Sequence, residues 1–271
     1  MKKYSVFCFL AVFAALCLSP LYAGGGGDKG SSANVLVVGA TPVPHAELLN
    51  LVKADLAAQG IELRVVEFTD YVTPNMALDA GDLDANFFQH SPYLESFSAE
   101  RNLPLVTAFA VHVEPLGFYS ASLKNISDLK DGAVIAIPND PTNEGRALLL
   151  LQARGLIKLS PQAGLQGTPM DITDNPKKLR FRELEAAQLP RSLGDVDGAI
   201  INGNYAMEAG LNPVQDALLI EGAESPYVNV VAVKKGNEND PRIKALESAL
   251  RSQKIKEYIL ANYNGGVVAV F

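Results

Sequence analysis

The sequence predicts an α/β protein of two similar lobes, each a mostly parallel sheet flanked by helices. Three observations carry this reading. Short β-rich runs alternate with amphipathic segments, which calls for βαβ units. The alternation is run through twice in the same order. The two series also match in their letters: Gly81-Asp-Leu-Asp-Ala-Asn-Phe-Phe88 lies over Gly194-Asp-Val-Asp-Gly-Ala-Ile-Ile201 without a gap.

The first series reads as a strand at Val35–Gly39, a helix over 45–58, a strand at Ile61–Phe68, a helix over 71–80 and a strand at Ala85–Phe88. The second has a strand at Ala133–Ile137, a helix over about 142–154, a strand at Leu179–Leu184, a short helix near 187–193 and a strand at Gly198–Ile201. In each copy a helix stops at glycine, whose freedom of φ suits the position just past a helix end, and a polar turn then leads into a buried strand. Each strand ends in a polar cluster, Gln89-His90-Ser91 or Asn202-Gly203-Asn204. Gly-Asp-x-Asp is common turn chemistry that recurs by chance; the matching strand behind it favours duplication.

Residues 34–114 with 231–271 are expected to form lobe one, and 115–230 lobe two, because the helices over roughly 240–263 need a surface to pack on. The chain would then cross between lobes near 112–119 and 224–232. Two crossings make a hinge, and in open α/β sheets ligands sit beyond the carboxyl ends of the strands. Both polar clusters should therefore face one cleft.

Ahead of the lobes, Lys2 and Lys3 precede an apolar run, Tyr4–Leu16, too short to span a bilayer comfortably, so residues 1–23 read as a secretory signal peptide. The Gly/Ser-rich segment 24–33 reads as a flexible tether. Without Lys2 and Lys3, 21 basic residues face 30 acidic ones, a net charge near −9. A basic nucleic-acid or membrane-binding face is excluded on that balance. Both cysteines, Cys8 and Cys17, lie in the signal, so the folded body has no thiol chemistry. A cut before Cys17 would make it a lipidation site, although Leu16 stands where a small residue is usual; cleavage after Ala23 is the alternative.

Pro138-Asn-Asp-Pro-Thr-Asn-Glu-Gly-Arg146 is a strand-to-helix junction with Asp, Pro and Thr, the residues that start helices. Free N–H groups at such a start favour an anion, and Arg146 one turn in could hold a carboxylate bidentately. A capped helix with Arg146 on a solvated face fits the local residues equally well. Phe87, Phe88, His90 and Tyr93, with Tyr71, put aromatic rings at the ends of two lobe-one strands, where they could clasp an apolar or thioether side chain. Strand alternation sends Phe87 and Phe88 to opposite faces, so at least one is expected in the core. Asn202, Asn204 and Asn229 are amides within or beside apolar runs; turn capping is the plain reading of Asn204, whereas Asn229 sits inside Tyr227–Val231.

Several long motifs stand in one order: Val66-Glu-Phe-Thr-Asp-Tyr71, Gly81–Asn86, Gln89-His-Ser-Pro-Tyr-Leu94, Pro138–Asn143, Arg146-Ala-Leu-Leu-Leu-Leu151, Glu185-Ala-Ala-Gln-Leu-Pro-Arg191 and Ser225-Pro-Tyr-Val-Asn229. Together they resemble the methionine-binding lipoproteins of the NlpA/MetQ family over residues 34–271. The resemblance implies a type II periplasmic-binding-protein fold closing on methionine, an ATP-driven importer as partner, and attachment to the cell envelope through a cysteine. It implies Arg146 as carboxylate partner, Asn143, Asn202 and Asn229 on the amino-acid backbone, and Tyr71, His90, Tyr93 and one or both of Phe87 and Phe88 around the side chain.

An enzyme on the same fold is the main rival. The chain has no Gly-x-Ser-x-Gly elbow, no metal-spaced His pair and no phosphate loop, and only His45, His90 and His112 as candidate bases. Acid pairs at Asp82/Asp84 or Asp195/Asp197 read as solvated turns. No metal or cofactor is expected, and a monomer is.

Overall fold

Apolar spacing sets the first βαβ unit. Leu36, Val38 and Ala40 alternate to the buried face of β1 (Val35–Ala40), and Leu48, Leu49, Val52 and Leu56 form one stripe on α1 (Glu47–Ala57). The computed structural model describes residues 34–222 and 225–271. The expected signal peptide, tether and Cys17, and residue 224 of the second crossing, lie outside them.

After α1 the chain runs through β2 (Glu62–Glu67), α2 (Thr73–Ala80), β3 (Ala85–His90), α3 (Ser91–Arg101) and β4 (Leu105–Val113). Lobe two follows with β5 (Gly117–Tyr119), β6 (Val134–Pro138), α4 (Pro141–Ala153), a small hairpin of β7 (Lys158–Leu159) and β8 (Ile172–Asp174), β9 (Arg180–Leu184), α5 (Leu189–Ser192), β10 (Gly198–Ile201), α6 (Gly203–Glu208) and β11 (Leu219–Ile220). The chain closes with β12 (Val228–Lys234), α7 (Pro241–Leu250), α8 (Gln253–Asn262) and β13 (Val268–Ala269). Among the described residues no helix is long and apolar enough to cross a membrane.

Two large sheets result beside the β7-β8 hairpin, in the orders β13-β4-β12-β3-β1-β2 and β11-β5-β10-β6-β9. The expected parallel pairing holds within β2-β1-β3 and β9-β6-β10, but every strand on the inner flank pairs antiparallel. The physical reason is the connection: α3 carries the chain from β3 to a parallel β4, and β12, returning from lobe two, inserts between them and runs antiparallel to both. A second difference concerns the lobe boundary. Residues 228–230, expected in lobe two, belong to β12, where Asn229 pairs with His90 on one side and His112 on the other. The chain leaves the six-stranded sheet through 114–116 and returns between Ile220 and Val228.

The duplicated motif has a common task. In lobe one Asp84 takes the Val37 N–H on Oδ2 at 2.8 Å and gives its own N–H to Val37 O at 2.9 Å. In lobe two Asp197 does the same to Val134, at 2.8 and 2.9 Å. Each aspartate seals the start of a parallel ladder, while Asp82 and Asp195 are exposed. The glycines differ. Gly81 ends α2 in the left-handed region at φ 86°, but Gly194 is not among the positive-φ glycines, because the short α5 ends without that cap.

Ile243, Leu246, Ile255 and Ile259 of α7 and α8 share one core with Leu48, Leu49 and Leu56 of α1. Lobe two has its own core around Phe118, Ile135, Leu148 and Ile200. There Gly198 leaves no room for a side chain unless the Phe118 ring shifts: a Cβ on it would stand 2.2 Å from Phe118 Cζ.

Candidate functional site

Both parallel series end at the same place, and the side chains following β3, β6 and β10 meet there across the lobes. Tyr71, Phe88, His90, Tyr93, Asn143, Arg146, Asn202 and Asn229 line one cavity, together with Gln89, Glu114, Gly203 and Asn204. Phe87 does not. Its ring lies in the lobe-one core, edge-on to His45 at 4.6 Å and fully buried, because alternation along β3 sends it opposite to Phe88.

His90 caps α3: its Nδ1 accepts the Tyr93 N–H at 3.1 Å. Nε2 must therefore carry the ring proton, and it donates to Asn143 Oδ1 at 3.0 Å. Burial, with the Arg146 charge nearby, pulls the His90 pKa from 6.5 to about 3, so the ring is neutral. The same Asn143 oxygen accepts from Asn202 Nδ2 at 2.8 Å, and Asn143 Nδ2 donates to both Asp140 oxygens at 3.0 Å. Asn143 is thus a hub joining the lobes, with its amide already engaged by protein.

The start of α4 is also occupied. Asp140 caps it, accepting the Asn143 N–H at 3.0 Å, so the anion site expected from free N–H groups is filled by the protein's own carboxylate. Arg146 is buried, at 3% exposure, and sits on no solvated face. Its Nε reaches Glu221 Oε1 at 3.0 Å, while Nη2 donates to Glu114 O at 2.8 Å and to Glu221 Oε2. Its Cζ stands 4.3 Å over the Tyr227 ring. Nη1 is left as the guanidinium nitrogen without a protein partner among the described residues. Two further atoms are buried and unpartnered, the acceptor Asn202 Oδ1 and the donor Asn204 Nδ2. Asn204 is no mere turn residue: its Oδ1 accepts the Tyr71 hydroxyl at 2.6 Å across the lobes.

On the opposite side the cavity is aromatic. Tyr71 lies 5.9 Å from both Phe88 and Tyr93, and 4.9 Å from Tyr205 of lobe two, ring to ring. Tyr205 donates to Thr69 O at 3.1 Å, a second tie between lobes. Tyr71 and Tyr93 divide the inner cavity from an outer groove also lined by Asp70, Glu100, Asp140 and Glu185. The inner space open to the centre of a water molecule is about 20 Å³, against about 530 Å³ outside. The inner cavity thus holds about one water, and an amino acid fits only after the lining side chains or the lobes move apart.

Beneath the cavity lie His45, His112 and Glu114, whose ligating atoms fall within 4.8 Å of one another. His112 Nε2 stands 2.7 Å from Glu114 Oε1. Two ligands about 2.1 Å from a tetrahedral metal stand roughly 3.4 Å apart, so this contact is a hydrogen bond and the group fits shared protons better than an ion. Burial holds His45 at about 4 and His112 at about 3, and raises the Glu114 pKa against the lowering pull of His45 and Arg146. Glu114 and Glu221 were missed because each stands in a crossing segment outside any motif. Asp140, by contrast, was legible as a helix cap.

Two sheets with their carboxyl ends turned to one polar cavity, joined by two crossings, define a two-lobed solute-binding protein. Residues 36–271 match the family model described as NlpA lipoprotein, and the chain belongs to that family. It is 47% identical over 232 residues to the membrane lipoprotein TpN32 of Treponema pallidum, covering 86% of this chain and 87% of that one. It is 45% identical over 211 residues to the D-methionine-binding lipoprotein MetQ of Escherichia coli K12, covering 77% and 78%. Among solved structures, a nutrient-binding protein from Burkholderia cenocepacia bound to methionine superposes with a TM-score of 0.85 at 47% identity, over 87% of this chain and all of that one.

Proposed function

We propose that this protein captures methionine, or a close derivative, between its lobes and delivers it to the permease of an ATP-driven importer. The observation that carries the reading is the pairing of unsatisfied polar atoms with an aromatic wall. Asn202 Oδ1 and Glu114 offer acceptors for an ammonium; Asn204 Nδ2, Asn229 and Arg146 offer donors for a carboxylate. Tyr71, Phe88 and Tyr93 suit a thioether tail. A ligand touching both lobes stabilises the closed state by its differential affinity for it. The protein acts as a monomer exported to the cell envelope, and lipidation at Cys17 would hold it at the membrane.

Binding is favoured over catalysis because His45 and His90 spend both ring nitrogens on protein partners, and because Asp84 and Asp197 are committed to backbone N–H groups. Methionine should raise the melting temperature more than leucine or glutamine does, by ligand linkage. Arg146→Ala should weaken methionine binding at least tenfold in calorimetry while the protein stays folded. A melting temperature that no amino acid shifts would defeat the reading.

A further inference from the structure

Asn229 and Glu114 face the cavity, and both are held from behind by one imidazole. His45 Nε2 lies 3.2 Å from Asn229 Oδ1 and 3.3 Å from Glu114 Oε1. The Glu114 oxygen beside Nε2 favours the proton on that nitrogen, whichever way the Asn229 amide is turned. Nδ1 is then an acceptor, and Thr41, fully buried at the end of β1, places its hydroxyl 2.8 Å away to donate to it. Asn229 must therefore turn its oxygen toward His45. Its Nδ2 is left for the cavity as a donor.

The carboxylate is fixed by the same logic. His112 Nε2, at 2.7 Å, also faces Glu114 Oε1, so both imidazoles point at one oxygen. Oε2 is turned to the Gly203 side, where a Cβ on Gly203 would come within 3.2 Å of it. The missing side chain lets the backbone at Gly203 and Asn204 approach the carboxylate, which receives a hydrogen bond from the Asn204 backbone, and Glu114 and Gly203 both line the cavity.

We propose that Thr41, His45 and His112 form a positioning relay that presets Asn229 as donor and Glu114 as acceptor toward the bound amino acid. This rests on the amino-acid reading of the cavity and adds residues that touch no ligand. An unrestrained asparagine offers either end of its amide to the site, and a preset one has no ordering left to do on binding.

The relay is tested on the full protein in two ways. Ring ¹⁵N spectra of the ligand-free protein between pH 6 and 8 should show His45 and His112 as neutral Nε2–H tautomers. Calorimetry with L-methionine should show His45→Leu weakened at least tenfold and His45→Gln, which keeps an N–H near the same place, within about threefold of wild type. His45→Leu combined with Asn229→Ala should bind no worse than Asn229→Ala alone. An Nδ1–H tautomer at His45, additive losses in the double variant, or a stoichiometric zinc ion retained by the purified protein would each overturn the relay. Additive losses on a wild type that binds methionine defeat the relay alone; a wild type that binds none defeats the functional reading and the relay together.

Discussion

Replacing Glu144 by glutamine should stabilise the protein at pH 8 by about 2 kcal/mol and by less than half as much at pH 5. Glu144 is only 6% exposed, and its Oε1 is buried without a partner. Burial first, then the charges of Glu183, Asp140 and Asp171, raise its pKa from 4.5 to about 7. A raised native pKa means that the unfolded chain gives up the proton first. Its contribution is full below pH 4.5 and is lost as pH rises through 7. A shift of about 2.5 units amounts to roughly 3.4 kcal/mol. The amino end of α4 favours an anion in its first turn by up to about 1 kcal/mol, which brings the expected gain near 2. Urea titrations followed by far-UV circular dichroism suit a chain without tryptophan. An equal effect at both pH values, or a loss of stability at pH 8, would refute the argument.

The buried histidines have the opposite sign. His45, His90 and His112 are lowered from 6.5 to about 4, 3 and 3, chiefly by burial, so their contribution is intact above pH 6.5 and drains away as pH falls toward those values. Each should cost about 2 kcal/mol by pH 5, read in the same titrations on the Glu144→Gln protein, where the opposing carboxylate is gone. In lobe two, Gly198→Ala should lower stability by about 2 kcal/mol, because the new methyl must displace the fully buried Phe118 ring. Combining it with Phe118→Leu should recover part of the loss, and thermal melts of both variants decide it.

Much of the fold could be read from the chain because its signals are local. The period-two run in β1 and the Leu48, Leu49, Val52 and Leu56 stripe name their own partners. The antiparallel inner strands could not be read this way. Nothing within Val228–Lys234 says that its neighbours are β3 and β4, and that pairing moved Asn229 onto the lobe-one sheet. Site residues followed the same division. Those in motifs at strand ends were found, whereas Glu114 and Glu221 act through contacts made 32 and 75 positions away in sequence. The environment of Arg146 was similarly hidden, since a buried pair is invisible until both ends are placed.

The aspartates at 84 and 197 have a consequence for how such a protein can change. Each locks its parallel ladder at the amino end, the far end from the cleft. Integrity of the scaffold and chemistry of the ligand are thereby assigned to opposite rims of the same sheets. A lineage can exchange the residues that follow β3, β6 and β10, one at a time, while the register of each lobe stays pinned from behind. Diversification of cargo is then open to a fold whose frame does not have to be reinvented with each new ligand.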